Sequence, residues 1–213
     1  MRTNPEARRT LVYFPVLHTE TDMGDMAPML RRAGVERQGL EAWQANRHRI
    51  ATTWRDVRAV VDGLGTGLAG AMLYQDSLPV CGHEQAIVRE LAQGGSLNHQ
   101  LLCDLMAQGA ELVGTESGEL LLKDYELIKR AIASVHSGAP AGDADADAAR
   151  RSTLLVERDR YIAGRIDETL IAGRIGILFL GALHDVRPWL APDIEVHFPL
   201  LTPITEADAD EAS

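Results

Sequence analysis

Two apolar runs near opposite ends of the chain, residues 11–17 and 175–180, constrain the fold more than any other feature. Neither alternates with polar residues, as a strand with one wet face would. Both read as strands buried on two sides, the pattern of a parallel sheet covered by helices. Shorter segments at 71–74, 111–113 and 194–198 bring the set to about five strands. Between them, residues 40–61 carry Leu40, Trp43, Ile50, Trp54, Val57 and Val61 at helical spacing. Further helices are predicted over 84–93, 97–108, 120–135 and 154–171. Gly94-Gly95 closes one of these and Ser96 caps the next. Strands alternate with helices, which predicts a single α/β domain over 1–205 whose mainly parallel central sheet is covered by helices on both faces.

The 213 residues are 46% hydrophobic and 24% charged, enough apolar material for one sizeable core. The net charge of −10 is unevenly spread. Asp143, Asp145 and Asp147, with Glu206, Asp208, Asp210 and Glu211, supply seven negative charges in two segments. The remainder is near balance, which argues against nonspecific nucleic-acid binding. Residues 137–149, rich in Gly, Pro and repeated Asp-Ala, read as a mobile acidic loop, and 206–213 as a disordered acidic tail. Cys81 and Cys103 show no paired spacing, so a reducing, cytoplasmic setting is expected. No apolar stretch suggests a signal peptide or membrane span.

The better strands each run into ionisable residues. The first leads to His18, Glu20 and Asp22, the second to Gln75-Asp76, the third to Glu116 and the fourth to His184-Asp185. In a parallel sheet all the carboxyl ends lie on one edge, where ligands bind. His18 and His184 end long apolar runs, where a titratable ring costs desolvation unless it has a partner or a purpose. Such a set can serve as a general base or as metal ligands, and hydrolysis through an activated water is the simplest reaction it supports. Arg158 and Asp159 lie on or beside the apolar stripe Leu155, Ile162 and Ile166, so a charged pair faces inward. Arg158 then reads either as an anchor for an anionic group or as a member of an ion pair with Glu157 or Asp185. His48, His83, His99, His136 and His197 lack metal-ligand spacing and read as structural or solvated. Gly63-Leu64-Gly65-Thr66-Gly67 follows a helix and no Lys-Ser or Lys-Thr comes after it, so it is not a phosphate loop. Ser77 and Ser117 lie outside any Gly-x-Ser-x-Gly elbow.

The segment Val156 to Ile166, followed by Gly181-Ala182-Leu183-His184, resembles the C-terminal signature of the TraB/Tiki-like superfamily, which also includes erythromycin-esterase-like and ChaN-like proteins. In that group an Arg-bearing helix precedes a strand ending in Gly-x-x-His, and another Gly-x-x-His closes the first strand. His18 matches the first of these histidines, with Pro15 in place of the glycine. Members often carry an acidic residue after the second strand; if Gln75 takes that position, Asp76 must supply the carboxylate. The resemblance implies an α/β fold with a His-lined cleft, in a group that holds metal-dependent peptidases, esterases and haem-binding proteins.

Three functions follow as expectations. The first is a hydrolase-like enzyme acting on a small-molecule or peptide substrate, with His18, His184, Arg158, Asp76 and Glu116 as site residues. Its cofactor is unassigned; a divalent transition metal on His18 and His184 is one option. The second is a module that binds a small ligand or haem without turnover. The third is a regulatory homodimer with a degenerate cleft, which an exposed apolar patch on residues 40–61 would favour.

Overall fold

The structure, a computed structural model, describes residues 8–137 and 144–200. Five strands, β1 (Arg9–Val16), β2 (Met72–Gln75), β3 (Glu111–Val113), β4 (Ile175–Gly181) and β5 (Ile194–His197), form one sheet in the order β3-β2-β4-β1-β5. Every pairing is parallel. Six helices connect them: α1 (Ala27–Gln38), α2 (Leu40–Gly63), α3 (Glu84–Gln93), α4 (Leu97–Ala107), α5 (Gly118–Ser137) and α6 (Ala144–Thr169). The five expected strands and the five expected helices are all present, with shifted ends.

Strand periodicity sorts the core into two layers. Val12, Phe14 and Val16 of β1, Leu73 of β2, and Ile177 and Phe179 of β4 face α2, α3 and α4 through Ile50, Trp54, Val57, Val88 and Leu102. The alternate residues Leu11, Tyr13, Met72, Tyr74, Leu178 and Leu180 face Ile162, Ala163, Ile166 and Leu170 of α6. Helix α5 packs on α6. Gly176 permits close approach on this second side, since a Cβ there would sit 2.8 Å from Leu11 Cδ1.

Two segments differ from expectation. Helix α1, together with the 3-10 segment Glu20–Met26 before it, fills what the sequence left without structure. It buries no side chain, so it has no apolar stripe to betray it. Helix α6 begins at Ala144, so the expected loop over 137–149 is helical from that residue on, and Ser137 still belongs to α5. Alanine is the strongest helix former, and aspartates in a first turn favour the positive end of the helix dipole. Arg150 Nη1 adds an ion pair to Asp147 at 2.8 Å. Residues 138–143 of that loop and the tail 206–213 lie outside the described residues.

The connections fix where a ligand can sit. The chain leaves β1 and β2 toward the α2–α4 layer, whereas after β4 it enters the α6 layer through buried Val186. Crevices therefore open beside the carboxyl end of β4, next to both of its neighbours.

Candidate functional site

Four strand ends deliver the site. His18 lies two residues beyond β1, Asp76 directly after β2, Glu116 three beyond β3 and His184 three beyond β4. They converge on Asp76. Its Oδ2 is 3.1 Å from His18 Nε2 and 3.9 Å from His184 Nε2, so two imidazoles distant in sequence face one oxygen. The same oxygen accepts the Gly181 N–H at 2.8 Å. A Cβ on residue 181 would lie 2.7 Å from it, which is why the strand end must be glycine. Asp76 Oδ1 accepts from the Ser77 hydroxyl at 2.9 Å and from Arg158 Nη2 at 3.1 Å. Ser77 itself holds φ 60°, an uncommon conformation for a residue with a side chain, and its N–H donates to Glu116 Oε1 at 2.8 Å.

Arg158 sits under this arrangement as a tether. Its Nε and Nη2 fork onto Glu116 at 2.7 and 2.6 Å, and its Nη1 reaches Asp124 at 2.8 Å. With Asp76 as a third acceptor, four of its hydrogen bonds go to carboxylates, so the ion-pair reading prevails over the substrate-anchor reading. The expected partner Asp185 instead pairs with Arg187 at 2.7 Å. The inward-facing Asp159 serves His184: its Oδ1 is 2.5 Å from His184 Nδ1, and its Oδ2 accepts the Asp185 N–H at 3.1 Å.

On the other flank, Asp22 faces His18 Nδ1 at 3.7 Å. Its oxygens accept the Thr19 N–H at 2.6 Å and the Ser96 hydroxyl, and Ser96 Oγ is 2.7 Å from His99 Nδ1. A row of alternating imidazoles and acceptors thus runs from His99 to Asp159. The fields along it differ. Burial opposes charging of His18, but the hydrogen bonds and charges of Asp22 and Asp76 outweigh it and raise the ring to about 10. Burial also opposes ionisation of Asp76, yet His18, His184 and Arg158 hold its carboxyl well below the usual range. Asp22 is likewise lowered against its burial, by His18, Ser96 and the Thr19 amide. At Glu116 burial, aided by the Asp76 charge, keeps the carboxyl raised in spite of Arg158. His99, buried without a carboxylate in hydrogen-bond contact, falls to about 4.

Above the row opens a cleft of about 680 Å³ between the sheet edge and helices α5 and α6. His18, Asp76, Arg158 and His184 line it, with Leu17, Ile128, Leu155 and Leu183 among the apolar walls. Of the five expected site residues, Glu116 does not line this cleft; it is fully buried behind Arg158. Asp76, not Gln75, faces the histidines, since the Gln75 amide turns back to the Asp76 carbonyl at 3.1 Å. Sequence reasoning missed Asp124, Ser96 and His99, and gave Asp22 no partner. The short Ser96-x-x-His99 spacing at a helix cap was the one signal for the last two.

The donors do not fit a metal ion. Among the described residues no group of three or more His, Cys, Asp or Glu side chains is arranged to hold one. Asp76 already receives a guanidinium, a hydroxyl, an amide and an imidazole, and the adjacent Arg158 charge opposes a divalent cation. The expected use of His18 and His184 as metal ligands is therefore not supported by the arrangement of their partners.

Among the described residues no helix is long and apolar enough to cross a membrane. Of the large apolar residues on α2, Leu40 is exposed, while Trp43, Ile50, Trp54, Val57 and Val61 are buried within the fold; the apolar patch that a homodimer reading called for is not there. No family model matches the chain, and searches of curated proteins and of solved structures return no match.

Proposed function

We propose that the chain is a hydrolase-like enzyme of TraB/Tiki-like type that works without a metal, cleaving an ester, amide or related bond in a small-molecule or peptide substrate. The observation that carries this reading is the approach of two imidazole Nε2 atoms to one buried carboxylate oxygen on the floor of a cleft. His184 has the makings of the general base. Its Nδ1 is committed to Asp159, which orients the ring and favours the tautomer with a lone pair on Nε2. The 3.9 Å between that Nε2 and Asp76 Oδ2 is beyond direct hydrogen bonding, so Nε2 can accept from a water in the cleft. Such a water would give its proton to His184 Nε2 as its oxygen attacks the substrate carbonyl carbon. His18, held as an imidazolium, supplies positive charge for the developing oxyanion and a proton for the leaving group. Arg158 and Glu116 fix Asp76 and touch no reacting atom. Both cysteines are free thiols, which suits the cytoplasm.

The test is a hydrolysis screen over esters, lactones, amides and peptides with wild type and His184→Ala. Turnover by wild type, and its loss in a variant that still unfolds cooperatively though at a lower temperature because Asp159 has lost its partner, is the expected result. Saturable binding without turnover would instead favour a ligand-binding module.

A further inference from the structure

His18 walls two cavities. Besides the cleft, it borders a polar cavity of about 260 Å³ on the α1–α2 side, whose other lining residues include Glu20, Arg37, Trp43, Asn46 and Arg47. We propose that this second cavity is a subsite for an anionic group of the substrate, a phosphate or a carboxylate, held by Arg37, Arg47 and Asn46 across the His18 ring from Asp76 and His184. The proposal rests on the catalytic reading of the cleft and names the class of substrate it takes: an anionic compound whose scissile bond lies over Asp76.

Two of the three donors are held by their neighbours. Arg47 stacks on the buried Trp43 ring, its guanidinium carbon 4.9 Å from the centroid, and Arg31 lies 5.3 Å from the same centroid. Its ion pair with Glu20, at 3.1 Å, uses Nε, so its terminal donors remain for a ligand. The Asn46 side-chain oxygen accepts from Arg49 at 3.2 Å, which leaves the Asn46 amide as a donor. Arg37 comes from the last turn of α1 and, among the described residues, is in no ion pair. Glu20 is the one carboxylate in the lining, against two guanidiniums.

The segment around the cavity is balanced, with seven arginines and seven acidic residues over 20–62, so the preference for an anion comes from the lining itself, two guanidiniums against one carboxylate. A concave basic site on an acidic protein draws anions toward it selectively. His18 lines both cavities, so an anchored anion and a bond under attack would lie on either side of one imidazole.

Isothermal titration of the full chain with inorganic phosphate, and separately with acetate, at constant ionic strength tests the assignment. Saturable binding is expected, with the tighter of the two anions naming the group. Arg37→Ala and Arg47→Ala should each weaken it about tenfold or more, the worth of a charge-assisted hydrogen bond. Arg37→Lys should retain part of it, and His184→Ala should leave it unchanged. Arg37 is exposed, so its replacement does not threaten folding. Absence of saturable binding by wild type up to about 10 mM, persistence in both arginine variants, or loss in His184→Ala would overturn the proposal. Binding is read without turnover: an inactive cleft with arginine-dependent binding sinks the catalytic reading alone, and an active enzyme indifferent to both anions sinks the subsite alone.

Discussion

Replacing Arg158 by methionine tests the electrostatic design of the site. The substitution keeps most of the side-chain volume and deletes the guanidinium that bonds Glu116, Asp76 and Asp124. Asp124 is partly open to solvent, but Glu116 and Asp76 have 1% and 5% of their side chains exposed and cannot be rescued by water. His18 still neutralises Asp76 in the variant, so one carboxylate, Glu116, is left buried without a counter-charge. Breaking a buried pair in this way costs about 3–5 kcal/mol. For a chain of this size that is a fall of roughly 10 °C in melting temperature. The loss should grow as pH rises above the ordinary glutamate value of 4.5: without Arg158 the raised Glu116 carboxyl rises further, and a group shifted that way loses its stabilising protonated form as pH increases. Urea unfolding of wild type, Arg158→Met, Glu116→Gln and the double variant reads this directly. The double variant should be more stable than Arg158→Met alone by about 1–2 kcal/mol, because the stranded charge has gone. A single-variant loss below about 1 kcal/mol, or a double variant that is less stable still, would refute the reasoning.

Two further predictions follow from the same geometry. His18, raised from 6.5 to about 10, contributes stability that is complete below its unfolded value and is lost as pH climbs through about 10; ring-proton NMR should show its midpoint there, and a midpoint near 6.5 would dismantle the Asp22–His18–Asp76 account. Because the donors are committed to one another, chelators, zinc and manganese should each move the melting temperature by no more than about 2 °C, whereas a rise of several degrees on adding one metal, the mark of tight binding to the folded state, would show that the donor argument fails.

The sheet was legible because burial on both faces writes itself into uninterrupted apolar runs such as that of β4. His18 and His184 stood out for the same reason: a polar ring ending such a run is conspicuous. Asp22 did not, since loops after strands are acidic in any α/β protein, and its partner Ser96 comes from a helix cap 74 residues away. The Arg158-Asp159 pair was visible as an anomaly on an apolar stripe, but its partners depend on strand order, which periodicity does not encode. Helix α1 was invisible because none of its residues is fully buried, and the start of α6 was hidden by a composition shared between loops and first helical turns.

Strand order also governs when the molecule can exist. Strand β4 lies between β1 and β2, so nothing hydrogen-bonds the first strand to the rest of the sheet until residues 175–181 are in place. During synthesis the apolar first strand must wait, unpaired, until residues 175–181 have been made. A ribosome-bound fragment ending before that point has no complete sheet, and its exposed β1 is the natural target of a chaperone.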